Sequence, residues 1–251
     1  MNWREVAGNW LLVPPNPIGI IHFLGGAFVA AAPSVTYGWL LESLYGQGYI
    51  IVATPFINTF DHGAIATEVL TTFDQAMVYL RRRAIGEGYL PIYGMGHSMG
   101  CKVHLLIGSL YQVERAGNIL ISFNNYPARR SIPLLEQFIQ FAPDFDLEFT
   151  PSPTQTLNLI CDRYGVTRNL LIKFRKDTID QTYDLSDVLH RRYPRYTDMQ
   201  ILPGTHTTPI AQDVRWQPGK SFSALDAIGQ FVKQEFYRDL GQLRDTVLQW
   251  L

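Results

Sequence analysis

The chain has 251 residues, of which 47% are hydrophobic and 17% charged, and this balance is that of a globular protein with enough apolar residues to form a core. The net charge of -1 does not suggest a nucleic-acid or other polyanionic partner, so we expect no nucleic-acid binding. Two cysteines are too few for a disulfide framework or a cysteine zinc site, and the histidines lack metal-ligand spacing, so we expect no metal.

The N-terminal region does not have the pattern of a targeting segment. Residues 1–17 carry an acidic residue early and have no long apolar stretch. The longest apolar stretch, 19–33, is interrupted by His22 and by Gly25 and is too short to span a bilayer. We therefore predict no transmembrane segment and a cytoplasmic protein.

Short apolar runs that alternate with helical patterns predict the architecture. The predicted strands are Asn9–Val13, Ile18–Phe23, Tyr49–Ala53, Asn118–Phe123, Asn169–Phe174 and Asp198–Leu202. The predicted helices cover Tyr37–Tyr45, residues 65–80, 103–110 and 186–193, and a long C-terminal stretch, 222–247. Because strands and helices alternate, we expect an α/β protein with a mostly parallel central sheet flanked by helices.

This alternation is interrupted after Asn124. From residue 126 to about 168 the sequence has two helical segments, Ile132–Phe141 and Thr156–Tyr164, with prolines between them. We predict a helical cap inserted at about 126–168 into one domain that covers residues 1–251.

A glycine-rich corner in the middle of the chain predicts the chemistry. The run Leu90–Tyr93 leads into Gly96-His97-Ser98-Met99-Gly100, and helical apolar spacing follows from residue 103. This order of strand, sharp turn with serine, and helix is the layout of a nucleophile elbow. The turn exposes the hydroxyl of Ser98, and the free N–H groups of the helix N-terminus stabilise negative charge beside it. Ser98 is therefore the candidate nucleophile.

A serine nucleophile needs a base, and the base needs an acid that orients it. Asp177 follows the strand Asn169–Phe174, and His206 follows the strand Asp198–Leu202. Both candidates thus stand in loops after strands, in the order that sheet hydrolases use. Asp180 is an alternative acid. Asp61-His62 is a rival pair in an earlier loop, but its order in the chain is wrong for this mechanism.

The oxyanion of the reaction needs two backbone N–H donors. One is expected from Met99, directly after the nucleophile, and the other from Gly26 or Ala27 in the glycine-containing loop after the strand Ile18–Phe23. Three aromatic residues are candidates for lining an acyl pocket, although core packing explains them equally well: Phe28, Phe56 and Phe60.

Several other polar residues have simpler interpretations. We expect His22, His97 and His104 to be packed in the interior with satisfied hydrogen bonds. Arg129-Arg130 opens the predicted cap and could meet an anionic substrate group, but a solvated turn is the favoured interpretation.

The motifs HFLGGAF, GHSMG, KFRKD and LPGTH, spread over most of the chain, resemble the α/β-hydrolase superfamily. Within it the chain is most similar to an uncharacterised group from photosynthetic bacteria and plastids. The resemblance implies the α/β-hydrolase fold, a serine mechanism and no cofactor. Two positions depart from common patterns of the superfamily: Leu24 replaces the histidine of HGGG-type enzymes, and Phe174 replaces a glycine before the acid.

These observations predict a serine hydrolase that cleaves a carboxylic ester or thioester of a small-molecule or lipid-like acyl substrate. An acyltransferase with the same triad and a non-catalytic hydrolase-like binding protein are the alternatives. A nucleotide-binding domain is a third hypothesis, because Gly94-x-Gly96 lies between a strand and a helix. It is disfavoured because the next strand ends in Ser122-Phe123-Asn124, without an acid to hold a ribose.

Overall fold

The computed structural model describes residues 2–27, 29–86, 88–131, 148–210 and 224–251, with side chains from residue 237 onward in the last of these ranges. Its strands form one sheet in the order β1-β2-β4-β3-β5-β6-β7-β8. The strands are β1 (Arg4–Val6), β2 (Asn9–Leu12), β3 (Gly19–Leu24), β4 (Tyr49–Ala53), β5 (Ile92–His97), β6 (Gly117–Ile121), β7 (Asn169–Phe174) and β8 (Thr197–Leu202). The pairs β1–β2 and β2–β4 are antiparallel, and the other five pairs are parallel. The mostly parallel sheet predicted from the sequence is confirmed.

Helices cover both faces of the sheet. They are α1 (Pro33–Thr36), α2 (Gly38–Gly46), α3 (His62–Leu80), α4 (Met99–Leu110), α5 (Ala128–Ser131), α6 (Pro153–Arg163), α7 (Thr182–Arg192) and α8 (Ala224–Trp250), and a π-helical turn, Arg81–Ile85, extends α3. Helices α2 and α8 contribute to one apolar cluster, and α3, α4, α6 and α7 contribute to the clusters on the opposite face.

Burial on both faces explains why the central strands have continuous apolar runs. Along β4, Ile51 packs in the cluster with α2 and α8, whereas its neighbours Ile50 and Val52 pack against α3. Successive side chains of a strand point to opposite faces, so a strand covered on both sides has no polar positions to alternate with. The interior strands are therefore mostly apolar, with His22 of β3 as a buried polar residue among them.

Two elements differ from the sequence-based expectation. Strand β1 is missed, since its three residues are charged or half-exposed on the sheet edge and carry no apolar pattern. Helix α6, which we assigned to the inserted cap, lies in the layer of helices on the sheet. Ile160 of α6 and Tyr164 directly after it are fully buried in a cluster that includes Leu105 and Leu120. The cap boundary of about 168 is therefore wrong.

The other predicted cap helix, Ile132–Phe141, lies outside the described residues, so the cap stays a prediction. Within the described ranges, none of the helices combines the length and the apolar character needed to cross a bilayer.

The parallel arrangement decides where the functional candidates meet. Four loops, after β3, β5, β7 and β8, leave the same edge of the sheet because the carboxyl ends of parallel strands lie together. These are the loops that carry Gly26 and Ala27, Ser98, Asp177 and His206.

Candidate active site

Ser98 lies at the corner between β5 and α4 with a strained backbone. Its φ of 54° and ψ of -116° are a conformation that side chains rarely adopt. The flanking glycines make the corner possible, because a Cβ on Gly96 would lie 2.5 Å from the backbone nitrogen of Cys101 and one on Gly100 would lie 2.2 Å from the carbonyl oxygen of Leu24.

His206 lies between Ser98 and Asp177. Its Nε2 is 3.0 Å from the Ser98 hydroxyl, and its Nδ1 is 2.7 Å from a carboxylate oxygen of Asp177. Since the carboxylate can only accept, Nδ1 carries the proton and donates, which leaves Nε2 to accept from the serine hydroxyl. The Asp177 side chain is fully buried, while that of His206 keeps 18% exposure.

Asp177, and not Asp180, contacts the imidazole. Asp180 accepts hydrogen bonds from the Lys173 ammonium and from the Thr182 backbone N–H, both at 2.9 Å. Burial alone would raise the pKa of Asp177, but the hydrogen bond and charge of His206 and the N–H of Ile179 lower it below its usual value. The carboxyl group facing His206 is therefore ionised at neutral pH.

The loop after β3 offers one free backbone donor rather than two. The N–H of Gly26 donates to the hydroxyl of Tyr37 at 2.8 Å, so the expectation that Gly26 could donate to an oxyanion is wrong. Within the described part of the chain, the N–H groups of Ala27 and Met99 have no acceptor. These two donors are available beside Ser98.

Tyr37 and His97 form a network that the sequence did not suggest. The Tyr37 hydroxyl bonds to His97 Nδ1 at 2.7 Å, and His97 Nε2 lies 2.9 Å from the backbone carbonyl of His206. That carbonyl only accepts, so Nε2 donates and Nδ1 accepts from Tyr37. Burial lowers the pKa of His97 to about 3, so the ring is neutral. The network thus links the loop of Gly26 to the loop of His206.

A cavity of about 310 Å³ opens at Ser98. Ser98, Met99, Ala27 and His206 contribute to its walls. Further described residues line it, of which the bulkiest are Lys102, Tyr126, Arg130, Phe149, Ile179 and Ile210.

Two of the aromatic residues proposed from the sequence, Phe56 and Phe60, are not among the described lining residues. Phe56 is buried in the apolar cluster of α3 and α4, because its position after β4 turns it towards the core. Phe60 is 39% exposed and contacts Phe149, which itself lines the cavity. Phe28 lies outside the described residues. Arg130 is exposed, as expected for a solvated position, and it also contributes to the cavity wall.

His62 and Lys102 are two further cavity residues that the sequence analysis did not combine. His62 begins α3, and Lys102 lies one helical turn after Ser98. The available indication was the position of Lys102, because residues four apart on a helix share a face. A lysine in the mostly apolar stretch of α4, on the same helix face as Ser98, therefore indicated a residue of the pocket.

The glycines that suggested a nucleotide loop have a packing role. Gly94 and Gly96 lie within β5, and a Cβ on Gly94 would be 2.2 Å from the Asn118 side chain. Within the ranges that the structure describes, no group of three histidine, cysteine, aspartate or glutamate residues is arranged to hold a metal ion.

Several solved structures with similar folds are described as esterases or hydrolases. The Pyrococcus furiosus esterase Pf2001 superposes with a TM-score of 0.59 at 15% identity, covering 96% of this chain and 85% of that chain. Carboxyl esterase 2 from Tuber melanosporum gives 0.53 at 16% identity, with 92% and 82% covered. The α/β-hydrolase GrgF from Penicillium sp. sh18 gives 0.53 at 12% identity, with 93% and 94% covered. At such low identity these similarities establish the fold, which is the α/β-hydrolase fold.

Sequence comparisons give the family. No curated protein matches this chain. The predicted link to photosynthetic bacteria and plastids stays a prediction. A family model does match residues 2–251, which is all but the first residue, and its description is "Protein of unknown function (DUF1350)". The chain therefore belongs to the DUF1350 family.

Proposed function

We propose that this protein is a serine hydrolase that cleaves a carboxylic ester or thioester through an acyl-enzyme. The observation that carries the proposal is a series of two hydrogen bonds at the strained corner. His206 Nε2 lies 3.0 Å from the Ser98 hydroxyl, and His206 Nδ1 lies 2.7 Å from the Asp177 carboxylate. A hydroxyl in this environment can lose its proton to the imidazole as it attacks a carbonyl carbon.

The other groups complete the reaction. As Ser98 attacks, His206 takes its proton, and ionised Asp177 stabilises the imidazolium and fixes its tautomer. The N–H groups of Ala27 and Met99 then donate to the oxygen of the tetrahedral intermediate. His206 returns the proton to the leaving group, and water, deprotonated by the same imidazole, releases the acyl group from Ser98.

A fluorophosphonate probe tests this proposal, because it phosphonylates only an activated serine. We expect covalent labelling of the wild-type protein at Ser98, no labelling of Ser98→Ala, and strongly reduced labelling of His206→Ala. Ser131→Ala is the matched control, since Ser131 lines the same cavity and should leave labelling unchanged. A well-folded wild-type protein that stays unlabelled would contradict the proposal and favour a non-catalytic binding protein.

The acyltransferase alternative uses the same acyl-enzyme and differs only in the acceptor. Partition of an ester substrate between water and added alcohols or amines, measured by product analysis, distinguishes the two. Release of the free acid as the main product in the presence of acceptor supports hydrolysis.

A further inference from the structure

The described lining of the cavity beside Ser98 contains cationic but no acidic side chains. Lys102 and Arg130 contribute to it, whereas the described lining residues include neither aspartate nor glutamate. Asp177 lies behind His206 and is not part of the wall. Among the described residues neither cation has a carboxylate partner, so this part of the cavity is better suited to a substrate with negative charge than to a neutral one.

Lys102 is the more informative of the two because it is buried. The residue is 2% exposed, and its ammonium donates to the backbone carbonyl of Pro151 at 3.2 Å and lies 5.6 Å from the centre of the Phe149 ring. Among the described residues it has no carboxylate within ion-pair distance. Glu148, the acidic group that influences it most, accepts instead from the backbone N–H groups of Ala128 and Phe149.

Among the described residues, the charge of Lys102 is not compensated by an ion pair. Burial lowers the pKa of Lys102 to about 7, although Glu148 acts in the opposite direction. A buried amino group without an ion-pair partner lowers the stability of the folded protein, and an apolar residue would pack in the same place without this penalty. An anion beside the amino group would restore the ammonium form and supply its missing partner.

His62 is a second buried polar residue of the cavity wall, and its ring can still form hydrogen bonds. It is 3% exposed, its ring stacks on Phe149 at 4.2 Å, and neither ring nitrogen has a hydrogen-bond partner within the described part of the chain. Burial is the main cause that lowers the pKa of His62 to about 3, and the charge of Lys102 contributes. The ring is therefore neutral and keeps one N–H to donate. Lys102 and His62 thus flank the same phenylalanine on the cavity wall.

We propose, on the basis of the hydrolase function above, that the natural substrate carries a carboxylate or phosphate group and that Lys102 and Arg130 bind it. Lys102 follows Ser98 by one helical turn, which places the two residues about 6 Å apart along the axis of α4. The anionic group therefore lies several bonds from the reacting carbonyl, with the neutral N–H of His62 as a further donor.

Two esters that differ in charge and not in shape test this subsite. They are the p-nitrophenyl monoester of adipic acid, which ends in a carboxylate, and the p-nitrophenyl ester of adipamic acid, which ends in a neutral amide. We expect the wild-type protein to prefer the carboxylate ester in kcat/KM by about 10- to 100-fold, the range for one charge-assisted hydrogen bond. Inhibition by hexanoate and by phenyl phosphate then distinguishes a carboxylate site from a phosphate site.

Substitutions of Lys102 and Arg130 test whether these two cations cause the preference for the carboxylate ester. Lys102→Met keeps an unbranched side chain and removes the charge, so it should bring the ratio of the two kcat/KM values close to one. Arg130→Gln removes the second cation at an exposed position and should reduce the preference. Arg82→Met removes one charge at an exposed position of the π-helical turn and is the control that should change nothing.

The outcomes separate this proposal from the hydrolase function. Labelling of Ser98 by the fluorophosphonate probe, together with no preference between the esters or with a preference that survives in Lys102→Met, would overturn the anionic subsite alone. No labelling and no cleavage of either ester would overturn the hydrolase function and the subsite with it.

Discussion

At the residue scale, the two neighbouring aspartates have separate partners. Asp177 contacts the imidazole that faces the serine, and Asp180 forms a buried ion pair with Lys173. Because the two side chains are only three residues apart, sequence position does not distinguish them, whereas their hydrogen bonds do. Their substitutions should therefore affect different properties of the protein.

We expect Asp177→Asn to lower kcat for an ester substrate by about 10⁴-fold, because an amide favours the wrong tautomer of the imidazole. Asp180→Asn should keep kcat close to the wild-type value and lower the free energy of unfolding, because Lys173 loses its charged partner. Steady-state kinetics and urea unfolding of both variants test this pair. Equal loss of activity in both variants would contradict the assignment of Asp177.

Tyr37 positions groups on both sides of the nucleophile without contacting it. Tyr37→Phe leaves the Gly26 N–H and His97 Nδ1 without their partner in a buried place, which costs about 1–3 kcal/mol of unfolding free energy. We also expect kcat to fall with little change in KM, because the loops of Ala27 and His206 lose their connection. Kinetics on one ester, combined with urea unfolding, measures both effects.

Tyr164 offers the matched control for this prediction. Its hydroxyl is buried and bonds to the side chains of Asn118 and Asn169, both at 2.7 Å, away from the cavity residues. Tyr164→Phe should therefore lose comparable stability and keep the wild-type kcat. A parallel fall of kcat in the two variants would mean that Tyr37 acts through stability alone.

At the element scale, the contact between α4 and the loop after β3 sets the shape of the site. Helix α4 begins at Met99, and its first turn lies against the backbone of Leu24 and Gly25 at the position of Gly100. Ala27 and Met99, whose N–H groups are the proposed oxyanion donors, both line the cavity beside this contact. The absence of a side chain at Gly100 is thus needed for the close packing of the two segments.

Gly100→Ala should lower the free energy of unfolding by at least about 1–3 kcal/mol, since the new methyl group would overlap with backbone atoms that cannot move away easily. Gly241 is the control, because it also lies in a helix, α8, but a Cβ there meets nothing within 4 Å. Gly241→Ala should raise stability by about 0.5–1 kcal/mol. Chemical unfolding of the two variants provides the comparison, and equal effects would refute the close-contact explanation.

At the scale of the whole molecule, buried histidines couple folding to pH. His22, His62, His97 and His104 are nearly inaccessible, and burial lowers the pKa of each below the ordinary value of 6.5, to about 3 for the last three. Below about pH 6.5 the unfolded chain takes up protons at these residues and the folded protein does not. The free energy of unfolding must therefore decrease as the pH falls from about 6.5 towards about 3.

We expect urea unfolding to show this decrease between about pH 7.5 and about pH 4.5. His62→Gln should reduce the slope, because it removes one of the titrating groups at a place where the ring nitrogens make no hydrogen bond within the described residues. Buried Asp177, whose pKa is also lowered, acts in the same direction and is unchanged in this variant. A stability that does not vary with pH in this range would contradict the neutral state of the histidines.

Local sequence determined the elements of this protein and three of its site residues. Strands such as β4 and β7 have continuous apolar runs because both of their faces are buried, so their boundaries can be predicted from the chain alone. Ser98, Asp177 and His206 follow strand ends, and the parallel order of those strands brings them to one edge of the sheet. The edge strand β1 has no such run and was missed.

Tertiary structure decided what depends on contacts between distant residues. Asp177 is distinguished from Asp180 by its hydrogen bond to His206, a residue 29 positions later in the chain. Gly26 is not a free donor because its N–H donates to the hydroxyl of Tyr37. Lys102 is a cavity residue whose ammonium lies over the ring of Phe149, a residue from a distant part of the chain. Periodicity and motif spacing report local conformation and strand order, whereas hydrogen-bond partners and the polarity of a cavity arise only when separate elements pack together.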